Sequence, residues 1–141
     1  MSADIAETLE VGMRILCPLM EAHGFKQSNQ ESGKGSGGAY ASAEWIRGNR
    51  KLEIHFRHTL GLVRYHVGEV SLSHEEYMWA VTGERWSTQY PGFSDDPVDG
   101  FRHFAADLSR HGSSFLADPD DNFVADAKRV ALFKLNTSRL P

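Results

Sequence analysis

The stretch from Tyr40 to Val67, YASAEWIRGNRKLEIHFRHTLGLVRYHV, decides the fold. It divides into three alternating segments, Tyr40 to Arg47, Lys51 to Arg57 and Leu62 to Val67, separated by Gly48-Asn49 and by His58-Thr59-Leu60-Gly61. Period-two alternation puts apolar side chains on one face of a strand and polar ones on the other, and short Gly-containing connections join successive strands as hairpins. The spacing predicts a three-stranded antiparallel meander. Registering the two turns pairs Trp45 with Leu52 and Leu52 with Val67, Ala43 with Ile54 and Ile54 with Tyr65, and Ala41 with Phe56 and Phe56 with Val63. One face is then wholly apolar. A one-residue slip would invert every side chain, so the same register sets Ser42, His55 and Arg64 in one row of the other face and Glu44, Glu53 and His66 in the next.

Helical spacing flanks the meander. Ile5, Leu9, Met13, Leu16 and Met20 predict one helix from Asp4 to His23, with Gly24 suited to the left-handed residue that follows it and Pro18 expected to kink or shorten it. Gln27 to Gly38 carries no apolar residue and reads as a mobile loop. After the strands, Ser73 and Glu76 have capping-box spacing for a second helix that ends near Gly83. Asp96-Pro97 reads as the N-cap and first turn of a third helix carrying Phe101, Phe104, Ala105 and Leu108 up to Gly112. A fourth runs from Asn122 to Leu135 with Phe123, Ala127, Val130 and Ala131 inward. The expectation is one α+β domain over residues 1–141: an N-terminal helix, the meander, then about three helices packed on the apolar sheet face.

Composition agrees with a single core: 141 residues, 40% of them hydrophobic and 24% charged. A net charge of -4 argues against nucleic acid, whose backbone calls for a concentrated excess of Lys and Arg. No stretch of about 18 apolar residues and no basic-then-apolar leader pattern is present, so no membrane association and a cytoplasmic location are expected. Cys17 is the only cysteine, which excludes an intrachain disulfide, and its apolar neighbours make it a structural thiol. The charges are unevenly spread: eight of the nine Asp residues lie after position 94, whereas Arg47, Arg50, Lys51, Arg57 and Arg64 crowd the middle of the chain. An acidic second half of this kind steers a basic partner.

Two places carry candidate chemistry. The polar sheet face gathers Glu44, Glu53, His55, Arg57, Arg64 and His66, residue types that hold a small anion or a metal ion when cross-strand spacing brings them together. The segment from Tyr90 through Phe93 to Asp95 and Asp96 combines aromatic anchors with acids, as binding loops do, and with Asp118, Asp120 and Asp121 it forms the expected partner-binding set. Other motifs fail on context. Gly33-Lys34-Gly35-Ser36-Gly37-Gly38 satisfies G-x-G-x-x-G but follows a polar stretch and precedes a strand, and His74-Glu75 lacks the second histidine, Met78 standing in its place. Asp118 to Asn122 resembles a calcium loop, yet Phe123 occupies the glycine position and Arg129 that of the bidentate acid. No G-x-S-x-G elbow occurs. No catalytic residue, cofactor or metal ligand is assigned.

The layout of an N-terminal helix containing Pro18 and ending in His23-Gly24-Phe25, then a meander, then helices, resembles small bacterial proteins of the polymorphic-toxin immunity type and related uncharacterised α+β families over residues 9–81. The resemblance implies an acidic, compact protein that acts by occluding a partner, and it carries over no catalytic residue. The expected function is thus a non-enzymatic protein-binding module that docks a basic partner. The alternative is a small-anion or metal-dependent ligand-binding domain or enzyme that uses the His/Arg/Glu sheet face.

Overall fold

The computed structural model describes residues 5–35, 38–56, 60–84, 96 and 98–138. In chain order these form α1 (Ile5–Ala22), β1 (Lys26–Gly35), β2 (Gly38–Arg47), β3 (Arg50–Phe56), β4 (Leu60–Val67), β5 (Val70–Ser73), α2 (His74–Thr82), α3 (Asp99–His111), α4 (Ser113–Leu116) and α5 (Asp120–Ser138). The strands make one antiparallel sheet in the order β1-β2-β3-β4-β5, so the α+β architecture holds with five strands where three are predicted.

Both additional strands have a local cause. Lys26 to Gly35 is a strand and not a loop, because an edge strand is held by its backbone ladder and does not need apolar side chains of its own. Phe25, 1% exposed, anchors its start, and the Tyr40 ring lies over Gly33, its cross-strand partner, covering the backbone that a glycine leaves bare. Val70 to Ser73 returns from β4 through a turn at Gly68, whose φ of 59° favours glycine.

The β2/β3 register is the predicted one, with Trp45 opposite Leu52, Ala43 opposite Ile54 and Ala41 opposite Phe56. The β3/β4 register is not. Leu52 faces Tyr65 and Ile54 faces Val63, two residues away from expectation, and Phe56 faces Leu60 after a bulge. A slip of two residues leaves every side chain on its original face, so the hydrophobic pattern alone does not distinguish the two registers. The polar rows change accordingly: Arg64 stands opposite Glu53, and His66 opposite Lys51.

Helices cover the apolar face. Leu9, Met13, Leu16 and Met20 of α1 are buried, and the helix continues through Pro18 to Ala22 without being shortened. On the other side of the core, Tyr65, Tyr77 and Phe115 pack edge to face, with ring centroids 4.7 Å apart for Tyr65–Tyr77 and 4.9 Å for Tyr65–Phe115, joined by Phe104 and Phe123. α2 opens on the predicted capping box: the Glu76 amide donates to Ser73 Oγ and the Ser73 amide to Glu76 Oε1. α3 begins at Asp99, not at Asp96-Pro97, because the Asp96 carboxylate accepts from the Val98 amide at 2.9 Å and closes a turn ahead of the helix. Ala131, predicted inward, is exposed on α5, which is longer than expected at both ends.

Two arginines fasten the α4/α5 connection to the sheet. Arg47 donates to the Leu116 carbonyl at 2.7 Å and to the His23 carbonyl, and its guanidinium lies 4.8 Å from the Phe25 ring centroid. Arg50, 5% exposed, donates to the Phe115 carbonyl at 2.6 Å, to the Asp118 carbonyl and to Asp120 Oδ1 at 2.9 Å. Middle-chain cations and second-half acids therefore partly meet inside this molecule.

Candidate functional site

The first candidate is the polar face of the sheet. Alternation along β3 turns Lys51, Glu53 and His55 away from the core, and β4 adds Arg64 and His66. Glu53 is the centre: its Oε2 lies 2.7 Å from His55 Nε2, two residues along the strand, and its Oε1 lies 2.9 Å from His66 Nε2, on the diagonal of the neighbouring strand. Hydrogen bonding from His55, ahead of that from His66, holds the Glu53 carboxyl below its ordinary range. Glu44 pairs instead with Lys51 at 3.2 Å, and Arg64 donates to Ser71 Oγ at 3.2 Å. Of the six predicted residues, Glu53, His55 and His66 thus converge, Glu44 and Arg64 have other partners, and Arg57 lies outside the described residues. No group of three or more His, Cys, Asp or Glu among the described residues is arranged to hold a metal ion.

The predicted partner-binding set is more dispersed. Tyr90, Phe93 and Asp95 lie outside the described residues. Asp96 and Asp99 both pair with Arg102, Asp118 Oδ2 accepts from Ser113 Oγ and Asn122 Nδ2, and Asp120 is bound by Arg50 and Asn49. Those bonds hold the Asp120 carboxyl below its usual range, the Asn49 amide contributing most. Asp121 is exposed on the first turn of α5. Two further acids of the second half are buried: Asp107 is 4% exposed and Asp126 7%.

These two acids anchor polar networks that composition does not reveal. In the first, His74 Nδ1 lies 2.7 Å from Tyr65 Oη and Nε2 lies 3.1 Å from Asp107 Oδ2. Tyr65 donating to Nδ1 and Nε2–H donating to the carboxylate satisfies a neutral ring. Burial lowers the His74 pKa, against the pull of Asp107. In the second network, the Phe115 amide donates to Tyr77 Oη at 3.0 Å, Tyr77 lies 2.6 Å from Ser114 Oγ, and Ser114 donates to Asp126 Oδ2 at 2.5 Å. Burial pushes the Tyr77 phenol up to about 12 and raises the Asp126 carboxyl as well.

The second network borders a cleft of about 480 Å³ lined by Arg110 and His111 of α3, Ser114 of α4, Asp118 of the connection, and Asp126 and Arg129 of α5. A signal for Asp126 exists in the sequence: Phe123, Asp126, Ala127 and Val130 share one helical face, so the acid belongs with the inward residues. A smaller cleft of about 330 Å³ joins the edge of the polar sheet face to α2 and α5 through Arg64, Ser73, Glu75, Glu76, Trp79 and Lys134. No described helix is long and apolar enough to cross a membrane. Comparison with protein families, curated proteins and solved structures found no match to this chain.

Proposed function

We propose that the protein is a non-enzymatic binding module that docks a basic protein partner through its acidic second half, with α5 as the contact helix. The observation that carries this reading is the outer stripe of α5. Asp121, Ala125, Lys128, Leu132 and Leu135 recur at alternating spacings of four and three, and all are exposed, Leu132 at 58% and Leu135 at 46%. Leucines left in water at adjacent turns of one helix are an apolar contact patch, and the acidic first turn at one end of the stripe gives it a polar rim of the sign that attracts a basic surface. Occlusion of a partner by such a surface agrees with the immunity-type layout of residues 9–81.

Paired affinity captures with the wild type and the Leu132→Ser/Leu135→Ser variant test the reading, with circular dichroism confirming that both are folded. A stoichiometric basic protein held by the wild type, lost by the variant, and associating more slowly at high salt supports it. Equal retention by both baits sinks it.

The sheet face on which His55, His66 and Arg64 lie around Glu53 supports a second reading, in which it binds a small anion. Thermal melts with phosphate decide this: a stabilisation that disappears in Arg64→Ala or His66→Ala supports it, and unchanged melting temperatures remove it.

A further inference from the structure

The cleft between the end of α3 and α5 has features of a ligand site in Arg110, Ser114, Asp126 and Arg129, which neither the α5 stripe nor the sheet face uses. Asp126 is 7% exposed, yet none of the ion pairs among the described residues involves it. One carboxylate oxygen takes the Ser114 hydroxyl at the end of a chain of donors that starts at the Phe115 amide. The other accepts no bond from a described residue, and Asp126 is one of the residues that line the cleft. A carboxylate held in this way has unused acceptor capacity in a partly desolvated setting, where a cationic donor gains most.

The same cleft carries the opposite sign. Arg110 and His111 stand in the last turn of α3, and Arg110 is exposed with no ion pair among the described residues. Arg129 is tethered by a 2.8 Å bond from one guanidinium nitrogen to the Ala80 carbonyl, its charge acts on Asp126, and its guanidinium makes no other hydrogen bond among the described residues. Two arginines and two aspartates therefore border a space of about 480 Å³, a volume suited to a small molecule.

The geometry points to a site for a small zwitterion of the amino-acid or short-peptide class, its ammonium group on Asp126 beside Ser114 and its carboxylate on Arg110 and Arg129. A simple anion meets Asp118 and Asp126, and a simple cation meets the arginines; a ligand carrying both charges meets a complement at each end. Nothing in this assignment depends on α5 docking a protein.

Glycylglycine is the probe, titrated into the ¹⁵N-labelled full chain with acetate and methylammonium as single-charge controls. The expected result is saturable shifts confined to amides around Arg110, Ser114 and Asp126, with each control at least about tenfold weaker. Asp126→Asn keeps an oxygen acceptor for Ser114 and therefore the fold, and it should weaken glycylglycine about tenfold, as should Arg110→Ala at its exposed position. Acetate or methylammonium reproducing the shifts at equal strength overturns the zwitterion assignment. So does undiminished binding by Asp126→Asn, or the absence of saturable shifts in the wild type. Leu132→Ser/Leu135→Ser should bind the probe as the wild type does, which separates this site from the α5 surface.

Discussion

Histidine meets carboxylate on both sides of the sheet, with different consequences. On the helix-covered side, His74 and Asp107 are 1% and 5% exposed at their side chains and are tied through Tyr65 into the aromatic core. On the open side, His55, His66 and Glu53 have similar separations but side-chain exposures of 43%, 26% and 27%. The chemistry of the two contacts is nearly the same. Water is the difference: a buried group that loses its partner has no substitute, whereas a half-exposed one turns to solvent. The inner pair therefore acts as a structural tie and the outer cluster as a solvated surface group.

Asp107→Ala should give the largest effect, about 3 kcal/mol of lost stability, because it removes a buried carboxylate acceptor from the buried His74 ring. Urea denaturation measures it, and a loss no greater than that of an outer-face variant would break the comparison. The pH dependence should come next. The folded-state pKa of His74 is depressed below 6.5, so the unfolded chain binds more protons as pH falls, and the stability from the neutral ring, complete above that value, is lost on acidification until pH passes the folded value. Glu53 is depressed below 4.5, so its contribution persists to lower pH and fades only beneath that value. Stability measured from pH 7 downward should decline first in the His74 window, and His74→Gln should flatten that limb while leaving the more acidic one. The smallest effect belongs to Glu53→Gln: less than about 1 kcal/mol at neutral pH, with a reduced slope below pH 4.5.

The legible parts of this fold were those in which each residue's face and its burial agree. The alternation of residues 40–56, the capping box at Ser73 and the left-handed Gly24 and Gly83 all follow from local patterns, and the structure contains them. The β3/β4 register was not legible, because both alignments bury Leu52, Ile54, Tyr65 and Val67, and the choice between them lies in the turn. β1 was missed because its stabilisation comes from β2 and not from its own side chains. In the candidate sites, the convergence of Glu53, His55 and His66 could be anticipated from strand parity, whereas the cleft draws on four separate parts of the chain. Asp107 and Asp126 add to the acidic count of the second half without adding to its surface, because both fall on the inward face of their helices, which composition does not reveal.

The strand that hydropathy does not announce also protects the molecule from its own sheet. Among the described residues, β1 and β5 form the two sides of the sheet whose backbone groups are left without a neighbouring strand, the positions from which β-rich proteins recruit further copies of themselves. β1 presents Lys26, Glu31 and two glycines, with a break in regular pairing between Ser28 and Glu31, and β5 stops after four residues at the cap of α2. One margin is hydrophilic and irregular and the other is brief, so neither is a good template for fibrillar growth. Replacing Gln27, Ser28 and Glu31 with valines would leave the native contacts of the core in place while creating a segment prone to amyloid-like assembly.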